Sequence, residues 1–127
     1  MVLFTLEAPE IVPFSFGAEV VNQGESVQLT CFVRKGDMPV AITWSLKGDD
    51  ISSDPLLTTT AIGQKTSLLI ISTVAYRHSG QYTCTARNAA GYATHSADLK
   101  VNGMKFNIYI LKMLRGRHWG YFYLYFS

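Results

Sequence analysis

Two cysteines and three histidines are the residues of this 127-residue chain best equipped for chemistry. Cys31 and Cys84 could bridge, ligate a soft metal or act as nucleophiles, and His78, His95 and His118 could move protons or bind zinc. The histidines have no ligand-spaced companions, so a metal site is not expected. There is no phosphate-cradling glycine loop, no HExxH pair and no Gly-x-Ser-x-Gly elbow. A Ser, a His and an Asp are present, as in almost any chain, but no pattern positions them together. No enzyme activity and no cofactor are expected.

The cysteines are better understood through the elements that must hold them. Val27, Leu29, Cys31 and Val33 share one face of a period-2 strand, with Gln28, Thr30 and Phe32 on the other. Tyr82, Cys84 and Ala86 alternate in the same way within Gln81–Asn88. Two inward cysteines on separate strands suit a bridge between two sheets, and a pair of buried free thiols is the other reading of the pattern. Ile42, Trp44 and Leu46 alternate with Thr43 and Ser45, and Lys47-Gly48-Asp49-Asp50 then signals a turn. Ser67–Val74 is a long β-branched run, and Ala97, Leu99 and Val101 alternate with Asp98 and Lys100. Gly24-Glu25-Ser26, Gly36-Asp37-Met38-Pro39, Ser52-Ser53-Asp54-Pro55 and Asn88-Ala89-Ala90-Gly91 punctuate these strands. No segment of the body has helical periodicity over ten residues. Short strands at regular intervals predict an all-β, two-sheet antiparallel sandwich. Lys35-Gly36-Asp37 and Lys47-Gly48-Asp49 spell a tripeptide like that of integrin-binding loops, but Gly-Asp is ordinary turn chemistry and is read as such.

Composition divides the chain. Hydrophobic residues make up 48% and charged residues 16%, against about a quarter charged in an average soluble domain, which argues against a disordered or nucleic-acid-coating protein. Residues 1–102 carry seven Lys/Arg and nine Asp/Glu, a net −2, whereas residues 103–127 carry Lys105, Lys112, Arg115 and Arg117 and no acid, a net +4. Three segments are therefore expected: an N-terminal extension over 1–8, a folded domain over 9–102, and a basic aromatic tail over 103–127 that is unstructured or non-native and outside the fold. The tail could lie on an anionic membrane or stack on single-stranded nucleic acid. Against both, Arg115-Gly116-Arg117-His118-Trp119-Gly120 breaks a helix and Tyr121–Phe126 is an aggregation-prone apolar run, so neither a nucleic-acid partner nor membrane insertion is expected. The composition fits translation past a coding boundary. Met1–Ala8 has no basic n-region and too short an apolar run for a signal peptide, and a span over 106–126 would put Lys112, Arg115 and Arg117 near the bilayer centre. A protein of this kind working outside the cell would carry its signal on a larger parent chain. None of Asn22, Asn88, Asn102 and Asn107 lies in an N-glycosylation sequon.

Cys31, Trp44 thirteen positions on, and Tyr82-Thr83-Cys84 resemble the immunoglobulin fold, with a core Trp against an inter-sheet disulfide and a tyrosine corner two residues before the second Cys. The run Ser79–Gly91 is similar to the I-set version, in which Ala86 keeps its strand close-packed and Asn88 and Gly91 make the F–G turn. One departure stands out: the family usually has Asp where this chain has His78, which puts the family's Arg–Asp tie across the end of the sandwich in question. Pro9–Gly17 and Gly36–Trp44 resemble an immunoglobulin domain of the arthropod Down syndrome cell adhesion molecule family, most closely its variable seventh domain. That resemblance implies an extracellular module of a plasma-membrane receptor, varied by alternative splicing and binding its own kind in dendrite self-avoidance and axon guidance. An intracellular I-set spacer of the muscle giant-protein type shares the Tyr-x-Cys-x-Ala-x-Asn pattern, and a domain recognising a non-self immune ligand is a further reading.

Phase along the strands also marks a candidate binding face. Leu69 and Ile71 are expected inward with Trp44, Tyr82 and Ala86 as core, which leaves Leu68 and Ile70 outward on the sheet of strands A, B, E and D. Phe32 falls on the same outer face beside Gln28 and Thr30. Large apolar groups on a face meant for water suggest a protein contact. By resemblance, that contact is with the same domain on another copy, which needs only one sequence to be self-complementary. Local cover by Phe14 and Phe16, or by neighbouring domains, is the competing reading.

Overall fold

The computed structural model describes residues 5–17 and 20–102 in full, and 106–109, 113–115, 118–120 and 123–126 as backbone. Eight strands build the body: β1 Glu10–Ile11, β2 Val27–Lys35, β3 Ala41–Leu46, β4 Asp49–Asp50, β5 Leu57–Ile62, β6 Thr66–Ile71, β7 Gly80–Asn88 and β8 Gly91–Leu99. They form two antiparallel four-stranded sheets, in the orders β1-β2-β6-β5 and β4-β3-β7-β8. One sheet is thus the A-B-E-D sheet expected from the sequence.

The period-2 patterning explains why two sheets form. Along β2 every second residue, Leu29, Cys31 and Val33, is buried, and β6 repeats this with Ser67, Leu69 and Ile71. On the facing sheet Trp44, Tyr82, Cys84 and Ala86 are buried in turn. Burying both apolar faces against each other is the favourable solution for such strands. Cys31 and Cys84 are bonded across the sandwich. Trp44 lies directly across β3–β7 from Cys84 and donates its indole N–H to Ser67 Oγ at 2.9 Å. That bond satisfies the one hydroxyl that β6 turns inward opposite Cys31, which would otherwise be costly to bury.

Turns follow local chemistry. Lys47 and Gly48 both adopt positive φ, 53° and 85°, and link β3 to β4 in the two-residue geometry that matches strand twist. The expected turn over Lys47–Asp50 is therefore shorter, with Asp49 and Asp50 already paired to Leu46 and Ser45. Gly36 is fixed by space as well as by its φ of 131°, since a Cβ there would sit 2.9 Å from the Pro9 backbone. The sequence shows no pattern for β5, and the reason is plain in the structure. Leu57 is half-buried and the following five residues are exposed, so the apolar alternation that marks a strand has nothing to act on.

Within the tail, expected to be unstructured or non-native and outside the fold, four described backbone segments pair in two ladders. β9 Phe106–Tyr109 pairs with β12 Tyr123–Phe126, and β10 Met113–Arg115 pairs with β11 His118–Gly120. Its aromatic, β-prone composition favours pairing with itself, and neither ladder joins a sandwich sheet. Residues 1–4 of the N-terminal extension, and the tail side chains considered for membrane or nucleic-acid contact, lie outside the described residues.

The bridge between the sheets closes a loop with a sequence separation of 53. Replacing both sulfurs (Cys31→Ala with Cys84→Val) is expected to lower unfolding free energy by about 4 kcal/mol, from lost loop-closure constraint in the unfolded chain. Urea unfolding of the two proteins side by side measures it, and a difference under about 1 kcal/mol would contradict the expectation.

Candidate functional site

Among the described residues, two clusters carry polar or exposed chemistry. The first sits at the end of the sandwich where the sequence departs from its family. A single 3-10 turn, Tyr76–His78, leads into β7. Inside it, the fully buried His78 accepts the Ala75 N–H on Nδ1 at 2.8 Å. An amide N–H can only donate, so the imidazole proton is on Nε2, which donates to Asp54 Oδ2 at 2.9 Å. Arg77 adds a fork to the same carboxylate, with Nε to Oδ2 at 3.1 Å and Nη2 to Oδ1 at 3.2 Å. The Leu56 N–H donates to Oδ1 at 3.0 Å. The absent Asp at position 78 is thus replaced from across the fold: Asp54, in the turn before β5, supplies the carboxylate. His78 and Arg77 both converge on it. The Tyr82 hydroxyl closes the arrangement by donating to the buried His78 carbonyl at 2.7 Å.

The electrostatics follow from these bonds. The Arg77 fork, with the Leu56 amide and His78, holds the Asp54 carboxyl well below the usual carboxylate range, against the opposing effect of partial burial. Burial pushes the Tyr82 phenol up, and the nearby Asp54 charge adds to the shift. Both imidazole nitrogens and both carboxylate oxygens of this cluster are engaged in structural bonds. The arrangement is a fastening. Among the described residues no group of three or more His, Cys, Asp or Glu could hold a metal ion. His95 spends its Nε2 on the Phe14 carbonyl at 3.0 Å and packs edge-on against the Phe14 ring. Asn88 builds the turn before β8 by accepting the Ala90 and Gly91 N–H groups. Its amide also donates to the carbonyls of Glu7 and Asp37, at 2.7 and 3.0 Å, a role that the turn pattern alone does not reveal.

The second cluster is the outer face of the β1-β2-β6-β5 sheet. Register places its side chains in three rungs across β2, β6 and β5: Gln28, Ile70 and Thr58; Thr30, Leu68 and Thr60; Phe32, Thr66 and Ile62. All five residues expected on this face lie there together. Leu68 and Ile70 are half-buried between neighbours, whereas Phe32 and Ile62 remain 43% and 54% exposed. Ile62 is absent from the sequence-based set because β5 has no legible pattern. The next outward residue on β2, Arg34, is neutralised by Glu10. None of the nine rung residues bears a charge. Local cover by strand A does not occur: Phe14 packs on Trp44 with ring centroids 5.6 Å apart, and Phe16 packs on Tyr82 at 5.5 Å. Both rings therefore belong to the core side of the molecule.

A two-sheet sandwich with its bridge, core indole and tyrosine corner is an immunoglobulin-type module. The family model for the immunoglobulin domain matches residues 8–88, and the chain belongs to that family. Within it, the chain is 38% identical over 95 residues to the cell adhesion molecule Dscam1 of Drosophila melanogaster, covering 74% of this chain and 5% of that protein. The chain thus spans a small fraction of the curated relative it matches. The solved Dscam1 Ig7 domain, isoform 5, superposes with a TM-score of 0.71 at 41% identity, over 74% of this chain and 96% of that one. The titin I-band fragment I67–I69 superposes with a TM-score of 0.69 at 27% identity, over 86% of this chain and 37% of that one.

Asp54 anchors the sandwich end, so Asp54→Asn is expected to destabilise the domain by about 2 kcal/mol near neutrality, since it removes charge-assisted bonds. The pH dependence has a fixed sign. A carboxyl whose folded pKa is lowered contributes stability above its unfolded pKa, about 3.9, and loses it as pH falls further toward the folded value. Urea midpoints of the parent and the variant should therefore differ by a constant amount above about pH 5 and converge in stronger acid. A gap that widens on acidification would be inconsistent with this arrangement.

Proposed function

We propose that this domain is an extracellular recognition module of a cell-adhesion receptor and binds a second copy of itself through the outer face of the β1-β2-β6-β5 sheet. The observation that carries the reading is the uncharged three-by-three face, with Leu68 and Ile70 in its middle column and Phe32 and Ile62 at one end. A face without charge stacks on its own copy with no like-charge penalty, and its shape then decides which copies match. Similarity to Dscam1, and to its seventh domain in particular, supports adhesion as the setting. By the same likeness, the parent receptor acts at the plasma membrane in neuronal self-avoidance and axon guidance. The function is binding without chemistry.

Likeness to titin domains favours one second reading, an intracellular spacer in a muscle-type giant protein. The Cys31–Cys84 bridge weighs against it, because disulfides persist in oxidising compartments. Thiol titration of natively folded protein isolated from its own cells separates the two: two free thiols would support the spacer.

The face itself is tested by sedimentation velocity on the chain and on a Leu68→Asp/Ile70→Asp variant. Self-association is expected to weaken at least about tenfold in the variant, with its thermal transition retained. Equal association of a folded variant would exclude the face. Phe32→Lys, at a more exposed position, repeats the test should the double variant fail to fold.

A further inference from the structure

The edges of the two sheets are unequally protected. β1 has two residues and lies between Pro9 and Pro13, which have no N–H to offer another strand. β4 is two aspartates long. Beside β8 runs the segment before β2, with His95 bonded to the Phe14 carbonyl and Val21 bridged in parallel to Val101. β5 differs from all three. Leu57-Thr58-Thr59-Thr60-Ala61-Ile62 has neither charge, nor Pro, nor Gly, and it ends its sheet. Natural edges of this length usually carry a lysine, a proline or a bulge that discourages pairing.

The ladder phase shows which peptide groups this edge offers. The Ser72 N–H donates to the Leu56 carbonyl at 3.1 Å, and the Val33 N–H donates to the Lys65 carbonyl at 2.8 Å. Hydrogen-bonded pairs recur every second residue in an antiparallel ladder. Thr58, Thr60 and Ile62 therefore turn their peptide groups toward β6, and Leu57, Thr59 and Ala61 turn theirs to the outer edge. The Leu57 N–H is already held by the Asp54 carbonyl at 3.1 Å. Both groups of Thr59 and of Ala61 face outward, and no described strand flanks them. Beyond them opens a cleft of about 330 Å³ between the sheets, lined in part by Met38, Ile42, Ala61 and Ser67.

We infer that the β5 edge is a second self-association surface, on which β5 of another copy adds antiparallel about a two-fold axis at Thr60. In that register Thr59 of each copy exchanges both backbone hydrogen bonds with Ala61 of the other. The two Thr60 side chains then meet in the close, non-hydrogen-bonded position that suits Thr–Thr pairs. The occupant is a second copy because the strand is uncharged and so meets no repulsion from itself, whereas the other open edge, β4, would bring aspartates together. The contact joins two four-stranded sheets into one continuous sheet and leaves the apolar centre of the outer face, Leu68 and Ile70, uncovered.

Thr59→Pro, made in the full chain on the Leu68→Asp/Ile70→Asp background where the outer face no longer contributes, tests this. Its N–H makes no bond inside the sheet, so the fold is retained while the edge loses its donor and gains a blocking ring. The association left in that background is expected to weaken at least about tenfold. Amide exchange of the unsubstituted chain gives a second reading that does not depend on the variant folding. The Thr59 and Ala61 amides should become protected as concentration rises into the range where the chain associates, and this should persist in Leu68→Asp/Ile70→Asp. Free exchange at both amides at every concentration would overturn the edge. So would association in Leu68→Asp/Ile70→Asp that Thr59→Pro leaves unchanged. Unchanged association in Leu68→Asp/Ile70→Asp that Thr59→Pro then removes would exclude the outer face and retain the edge.

Discussion

The strict alternation of β2 and β7 about one covalent bridge governs the rest of this molecule. With Cys31 and Cys84 joined, the residues two positions before and after each must also face the core. The intervening residues must face away. A slip of one residue would turn Leu29 and Val33 of β2, or Tyr82 and Ala86 of β7, to solvent together, so the bridge sets register as well as adding stability. The Trp44 indole extends the same constraint to β6 by bonding Ser67. The outward positions of β2, β6 and β5 are in this sense leftovers of the core. Nothing inside the domain selects their identity, so they are free to be selected for contact.

The sandwich end shows how a familiar fastening survives the loss of one of its usual residues. An imidazole at position 78 cannot supply negative charge, and on sequence grounds this leaves the Arg tie without an anchor. The structure solves the problem by exchanging roles. Asp54 provides the carboxylate from the turn before β5, and His78 serves as a bridge between that carboxylate and the Ala75 amide. Because both imidazole nitrogens are engaged, the ring can be fully buried without an unsatisfied atom, and the described side chains contain no buried orphan. The same His78 offers its carbonyl to the Tyr82 hydroxyl, so the tyrosine corner and the Asp54 cluster are one connected unit.

What was legible in the sequence divides along this physical line. Strands that bury one face leave a period-2 trace, and β2, β3, β7 and the last strand are all readable from it. Cys31, Trp44 and Tyr82 sit at spacings that a sandwich interior demands. β5 leaves no trace because it buries almost nothing, and with it the sequence conceals Ile62 and the third column of the outer face. Partners brought together from distant positions are equally hidden. Asp54 reads only as a turn former beside Pro55, and Asn88 reads only as the F–G turn. Their long-range bonds to His78, Arg77, Glu7 and Asp37 depend on loop positions that no local pattern encodes.

The neutral outer face and the neutral β5 edge raise the same question of specificity. Charged contacts discriminate partners through repulsion as well as attraction, whereas an uncharged face must discriminate by shape and by the cost of leaving apolar groups wet. Leu68 and Ile70 are flanked by their cross-strand neighbours on β2 and β5, so a partner differing at Thr30 or Thr58 would change the relief presented to them without disturbing the core. That separation lets the face vary while the bridge, the indole and the Asp54 fastening stay constant. Backbone pairing at the edge would be the complement of this, because peptide groups are the same in every copy whatever the side chains are. A domain with both surfaces can associate indifferently at its edge and selectively on its face, and the two contacts lie at right angles in one sheet.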